Sequence, residues 1–422
     1  MSALPPPPGP FRPDSWRSPL RGPWLTSVLG SLLLPMVLVV GVTGLLSHAA
    51  YNPGLGRNAI LPPDQDVGFL TFDWPSGFAF LYALTQSAHV LVGIVAIPVL
   101  LAKLWSVIPK LFAWPVIASP AMAVERLGVA LLVGSATFEF ATGVANIQLF
   151  YAFDFNFVEA HYYGGLVFLG ALGVHVVSKL PVIRRAYRER GVLRPLREDL
   201  ARTRPEPPDP DGGLAPVNPA APTLSRRGLL GLVGGASGLL FLVTAGQSIG
   251  GPLRELALLA PRNRDLGSGP NAFPVNKTAL GAGITDETVR DWRLELRAGE
   301  RTLALSRDDL LGLDLRTEDL PIACVEGWTT TQTWTGVPIA ELARLAGAGE
   351  GATVFVRSLQ EGSALADATL SADQVADPRS LLALRVNGAD LSPDHGFPAR
   401  VIVPALPGVH NTKWVRTMEF RA

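Results

Sequence analysis

Five uninterrupted apolar runs, Leu25–Leu46, Gly77–Ala102, Leu127–Phe150, Tyr162–Leu180 and Gly228–Ile249, dictate most of what this chain can become. Each is near the roughly 20 residues that a helix needs to cross a ~30 Å hydrocarbon core. Inside lipid a lone segment satisfies its own backbone only as a helix, so the runs predict five transmembrane helices. A chain that is 48% hydrophobic and 17% charged is too apolar for an ordinary soluble protein. Lys plus Arg equals Asp plus Glu at 36 each, which argues against a nucleic-acid partner. The proline-rich start, Met1–Asp14, reads as disordered, and the first run lies too far in to be a cleaved signal peptide.

Orientation follows from the positive charges in short connections. Arg12, Arg17 and Arg21 precede the first run, Lys103 and Lys110 lie between the second and third, and six arginines from Arg184 to Arg197 follow the fourth. The opposite connections hold only Arg57. The bias puts the N-terminus and Arg184–Arg227 in the cytoplasm of a bacterial cell and everything after Gly251 outside it. The expected domains are a disordered segment 1–23, a four-helix membrane domain 24–183, a cytoplasmic linker 184–225, a fifth transmembrane helix 226–250 and an extracytoplasmic domain 251–422. Before the fifth run comes Leu224-Ser-Arg-Arg-Gly-Leu-Leu230, which resembles a twin-arginine export signal inside the chain. Two arginines before a membrane helix are equally what charge-directed anchoring produces, so both readings stand.

Four of the six histidines, His48, His89, His161 and His175, lie in or at the edges of these runs. An ionisable group in lipid is costly and points to function. His161 and His175 are fourteen residues apart, about 40° short of four turns and about 21 Å along one helix, so they face the same way at two depths. Counted from the outer ends of the runs, His48 is level with His161 and His89 with His175. Paired imidazoles on facing helices suit two b-type haems, or one if the outer site is absent. In helix count and histidine spacing this half resembles the di-haem cytochrome b subunits of bacterial respiratory oxidoreductases, whose partner is quinone or quinol. His48 and His161 also suit a plain interfacial role. Glu139 is the remaining intramembrane charge, suited to proton transfer at a quinone site or to a hydrogen bond through Thr137, Thr142 or Asn146.

From Asn271 the composition becomes that of a water-soluble mixed domain. Trp292–Leu296, Thr353–Arg357, Leu382–Val386, Val401–Val403 and Trp414–Phe420 read as strands, with Asn387-Gly388 as a turn. Ser306-Arg-Asp-Asp309 reads as a helix start and Ile339–Ala346 as a short helix. The irregular interleaving predicts an α+β arrangement. The only cysteine, Cys324, lies in Pro321-Ile-Ala-Cys-Val-Glu-Gly-Trp328, and later come Asp394-His-Gly-Phe-Pro-Ala-Arg400 and Asn411-Thr-Lys-Trp414. One thiol excludes an intramolecular disulfide and a Cys-ligated iron–sulfur cluster. Alone it would be read as a small buried hydrophobe.

The three segments, in this order, resemble the molybdopterin-binding domain of the sulfite oxidase family, which includes the catalytic subunit of the bacterial protein-methionine-sulfoxide reductase. The resemblance implies a molybdenum-molybdopterin cofactor, with Cys324 as the catalytic metal ligand, a role that suits a soft, strongly donating thiolate. It also implies pterin contacts at Asn276, Ser358, His395, Arg400, Asn411, Thr412 and Lys413, with Arg400 and Lys413 suited to the phosphate. All six tyrosines precede the domain, so the active-site tyrosine of sulfite oxidases is missing, and no dimerisation domain is expected after Trp414. The expectation is a multi-pass membrane enzyme that passes electrons between quinone, b haems and an oxygen-atom-transfer substrate, a small or protein-bound sulfoxide or N-oxide. The twin-arginine machinery would export its outer domain. The alternatives are oxidation of sulfite or another sulfur compound with quinone as acceptor, a cofactor-bearing binding or sensory protein without turnover, and a haem cytochrome whose outer domain has lost its molybdenum.

Overall fold

A computed structural model describes residues 5–52, 54–55, 72–117, 119–207, 213–363 and 365–421. Arg57, used above for orientation, lies outside the described residues, as do the first four residues and part of the linker. Five long helices form: α1 Pro23–Tyr51, α2 Leu81–Leu111, α3 Pro120–Ile147, α4 Phe157–Arg190 and α5 Arg226–Ile249. All five are long and apolar enough to cross a membrane. The segment read as disordered contains two single-turn 3₁₀ helices, Gly9–Phe11 and Pro13–Ser15. The helices outrun the apolar runs because polar flanks with good helix propensity continue the hydrogen-bond ladder. α4 starts where the Asn156 side chain accepts from the amides of Val158 and Glu159, and it stops at Gly191, whose positive φ suits a glycine.

The chain folds as two compact units. One comprises Met1–Gly41, Val92–Asn146 and Tyr151–Phe241. Its core gathers Trp24, Leu25, Leu29, Val99 and Val233. The linker is pinned into it: the Glu206 carboxylate accepts from the Trp24 amide at 2.9 Å, and fully buried Arg226 donates to the carbonyls of Pro19 and Arg204. The first arginine of the export-like motif therefore has a structural task in the folded chain. On the outside Val124, Val174 and Val177 are each more than two-thirds exposed, a surface suited to lipid.

The other unit comprises Val42–Leu91, Ile147–Phe150 and Leu242–Ala422. Strands β1 (Arg293–Ala298), β2 (Arg301–Ser306), β3 (Arg316–Ala323), β4 (Thr329–Pro338), β5 (Thr353–Ser358), β6 (Asp367–Leu370), β7 (Leu381–Val386), β8 (Ala389–Asp390), β9 (Arg400–Ile402) and β10 (Val415–Arg421) build two sheets. Their orders are β2-β1-β10-β5-β6 and β3-β4-β7-β8, with β9 also on β7. Only β1 and β10 pair in parallel within the first sheet; its other neighbours are antiparallel. The core between strands and helices includes Leu294, Val337, Leu342, Val356 and Met418, and it takes in Ala49 and Ala50 from the end of α1, Trp74 from the approach to α2, and Tyr82 and Ala83 from its first turn. The Trp74 indole donates to the Ala405 carbonyl at 2.7 Å, which anchors that approach.

Candidate active site

The antiparallel β3–β4 pair closes on the five residues Cys324–Trp328. The Cys324 amide donates to the Trp328 carbonyl at 3.0 Å and the Gly327 amide to the Cys324 carbonyl at 2.9 Å, so the loop is a tight turn with the thiol at its root. Gly327 sits at φ +89°, a conformation that glycine adopts without strain. Glu326 is clamped by Arg262 through two bonds of 2.8 and 2.6 Å and accepts from the Trp328 indole at 2.9 Å. That bidentate pair fixes the loop's direction.

The thiol is 8% exposed, with Phe273, Ile322 and Trp328 in the same apolar cluster. Packing alone would suit an inert cysteine. What separates it from one is the recess it lines, about 290 Å³ with its open mouth included, whose other walls are Asn276, His395, Arg400, Gly408 and Lys413. Two basic side chains facing one thiol, Arg400 and Lys413, form an anion-seeking pocket.

Each basic side chain is held from behind. Arg400, at the start of β9, donates to the carbonyls of His395 at 3.0 Å and Asn411 at 3.2 Å. Its Nε has no hydrogen-bond partner among the described residues, and the same holds for the buried Asn411 Nδ2 and Thr412 Oγ1. The Lys413 ammonium donates to the carbonyls of Lys277 and Asp394, both at 2.7 Å. Burial, with Arg400 nearby, pushes Lys413 down to about 6; burial also takes Arg400 down to about 9, and it stays charged at neutral pH. His395 stacks on Phe273 at 3.6 Å between ring centroids, and its Nε2 lies 3.0 Å from the Asn271 carbonyl. A carbonyl only accepts, so the ring proton belongs on Nε2; burial, with Arg400 and then Lys413 nearby, holds His395 neutral, down to about 3. Burial and the Glu326 carboxylate push the Cys324 thiol up, so a metal must displace its proton.

Cys324, Asn276, His395, Arg400 and Lys413 are thus brought together, while Ser358, Asn411 and Thr412 do not line the recess. The Ser358 hydroxyl donates to the Lys413 carbonyl at 2.7 Å, which supports the lysine from below. Asn411 Oδ1 accepts from the Val403 amide at 2.9 Å. Among the described residues no three His, Cys, Asp or Glu side chains cluster about one point. Arg262 and Phe273 belong to none of the three segments read from the sequence. Trp328 and Glu326 were at least adjacent to the cysteine, whereas Arg262 carries no sequence signal.

The membrane histidines divide between the units. In one, His89 Nδ1 lies 3.4 Å from the Thr43 hydroxyl, and a Cβ at Gly44 would come within 2.9 Å of the imidazole, so α1 meets that ring at a glycine. His48 is three residues before the end of α1. In the other unit, His161 Nδ1 lies 3.2 Å from Glu139 and 3.0 Å from the Thr142 hydroxyl, so Glu139 reaches α4 through a histidine and not through Thr137 or Asn146. His175 follows on α4. Equal depth, counted above from the apolar runs, loses its reference: α4 begins five residues before Tyr162 and α2 four residues after Gly77.

Polar donors left unpaired near a buried thiol and two basic side chains fit an oxygen-rich anionic cofactor whose metal takes one sulfur ligand from the protein, the site of a metal–pterin oxidoreductase. Residues 282–422 match the family described as Oxidoreductase molybdopterin binding domain. The chain is similar to the uncharacterized oxidoreductase YuiH of Bacillus subtilis, 31% identical over 151 residues that make up 35% of this chain and 74% of that protein. It is also similar to the protein-methionine-sulfoxide reductase catalytic subunit MsrP of Xanthomonas campestris, at 29% identity over 35% of this chain and 50% of that one. The mitochondrial sulfite oxidase of Drosophila melanogaster is 29% identical over 30% of this chain and 26% of its own length. The chain belongs to the molybdopterin-binding oxidoreductase family, and it is an oxidoreductase.

Proposed function

We propose a membrane-bound molybdenum enzyme that moves electrons between quinol, through b haems, and an extracytoplasmic oxygen-atom-transfer substrate, with reduction of a sulfoxide or N-oxide as the reaction. The observation that carries the reading is the convergence of Cys324, His395, Arg400 and Lys413 on one recess. Molybdenum-molybdopterin, when bound, supplies two-electron transfer of an oxygen atom, chemistry that no side chain performs. Cys324 holds the metal, Arg400 and Lys413 hold the phosphate with Asn411 and Thr412 close by, Asn276 and neutral His395 line the pterin, and Trp328 and Phe273 exclude water. The missing domain tyrosine and the MsrP likeness favour sulfoxide over sulfite; the sulfite oxidase likeness keeps oxidation of a sulfur compound as the second reading. His48 with His161 and His89 with His175 are the proposed haem ligands, in a four-helix membrane domain followed by an anchoring helix. Arg226-Arg227 is the proposed export signal, and the charge bias supports the outer location of the domain.

Metal analysis of the purified protein, with a reduced-minus-oxidised optical spectrum, tests the scheme. Molybdenum to iron near one to two is the expected result; absence of molybdenum removes the enzyme reading, and absence of a reducible haem removes the quinone link. A second prediction concerns protons. Lys413 is depressed from 10.5 to about 6 in the folded protein, so between those values the unfolded chain binds more protons and the stability of the cofactor-free protein rises with pH. A phosphate beside Lys413 restores its charge. Pterin binding at pH 7.5 is therefore expected to take up close to one proton, read by calorimetry in buffers of different ionisation enthalpy, and Lys413→Met is expected to abolish that uptake.

A further inference from the structure

The loop that carries Cys324 has a back as well as a front. Its front is the recess; its back lies against the first turns of α2, up to Leu91, and the last turns of α5, from Leu242, which belong to the same compact unit. The Gln86 amide, on a side chain that is 5% exposed, donates from Nε2 to the Val325 carbonyl at 2.7 Å. Ser248 of α5 donates to the Gly327 carbonyl at 2.5 Å, and the hydroxyls of Ser87 and Thr329 are 3.5 Å apart. At Gly327 a Cβ would come within 2.8 Å of Val90, so backbone meets helix there with no room for a side chain. Gln86 and Val90 lie on one face of α2, and His89 is three residues from Gln86, one turn along the same helix.

We infer that Gln86 is a positioning residue that seats the metal-binding loop on α2 and makes the electron route between molybdenum and the haem at His89. The inference rests on the haem reading above. The path runs from Cys324 along one peptide unit to the Val325 carbonyl, across one hydrogen bond to Gln86, and then through covalent structure to His89. Electronic coupling decays more slowly through covalent and hydrogen bonds than through empty space, so one 2.7 Å bond is the single non-covalent step. Each transfer takes one electron from ferrous haem, leaving it ferric. Two such transfers, with two protons from solvent, would balance the reduction of one sulfoxide to sulfide and water at a molybdenum centre held by Cys324. Quinol is the reductant that restores ferrous haem.

The test uses the full-length enzyme with Gln86→Met, which keeps volume but cannot donate, beside Ser248→Ala, which frees the same loop from a helix without a histidine. Haem is photoreduced by a deazaflavin, and its reoxidation by the molybdenum centre is timed without substrate. The expected result is a rate at least about tenfold lower in Gln86→Met and changed less than about twofold in Ser248→Ala, with a shifted molybdenum(V) resonance in Gln86→Met. An unchanged rate in Gln86→Met, or equal slowing in both variants, overturns the inference while leaving the proposed function intact. Absence of any dithionite-reducible haem in the wild-type protein overturns both. Should Gln86→Met lose molybdenum, Gln86→Leu is timed in its place, and loss of molybdenum there as well assigns Gln86 a purely structural role and overturns the route.

Discussion

Cys324→Ser is expected to leave a folded protein that retains pterin but turns over at least a hundredfold more slowly. Groups that merely orient a metal ligand already cost about 10–100-fold when removed, and the ligand itself costs more. A hydroxyl fills nearly the volume of the thiol, so the sheet around it should not respond. What is lost is a soft donor for a redox metal. The check is reduction of a sulfoxide with a viologen donor, which does not depend on the proposed haems, beside molybdenum content and the fluorescence of released pterin. Turnover within threefold of wild type would mean that the thiol is only a packing group in the cluster with Ile322 and Trp328.

Arg400→Met is expected to lose the cofactor itself. Removing one partner of a buried, hydrogen-bonded charge pair costs about 2–5 kcal/mol, roughly thirty-fold to a few thousand-fold in affinity. Arg400→Lys should not restore binding. The guanidinium fork ties His395 to Asn411 through their carbonyls while keeping Nε unclaimed, and a single ammonium cannot hold both ends and reach a phosphate. Pterin content per protein after purification is the readout. Full retention in Arg400→Met would move the phosphate away from this side of the recess.

Much of this arrangement is legible in the amino-acid order, and the gaps have physical reasons. The five helices follow from apolar length alone, and β1, β5, β7, β9 and β10 fall within two residues of where β-branched and apolar alternation puts them. Asn387 and Gly388 both take positive φ at the β7–β8 turn, as the hairpin they spell requires. The β3–β4 pair that presents Cys324 is not legible. β3 has three charged residues in its first four and contains Pro321, and β4 is rich in threonine, so neither shows the period-two pattern; they are strands because the sheet needs them. Cys324, Arg400 and Lys413 stand out by chemistry and spacing. Arg262 and Gln86 do not, because their partners lie 64 and 239 residues away and only the fold brings them together.

The core of the sheet unit includes Ala49, Ala50, Trp74, Tyr82 and Ala83, all of which precede the proposed export signal by more than 140 residues. If α1 and α2 are inserted as proposed, those side chains already stand on the far side, and a body carried across a bilayer in compact form cannot bring them with it. On the proposed topology the catalytic half therefore arrives unfinished. Its last interior wall is supplied at the destination, and the act of docking completes the enzyme.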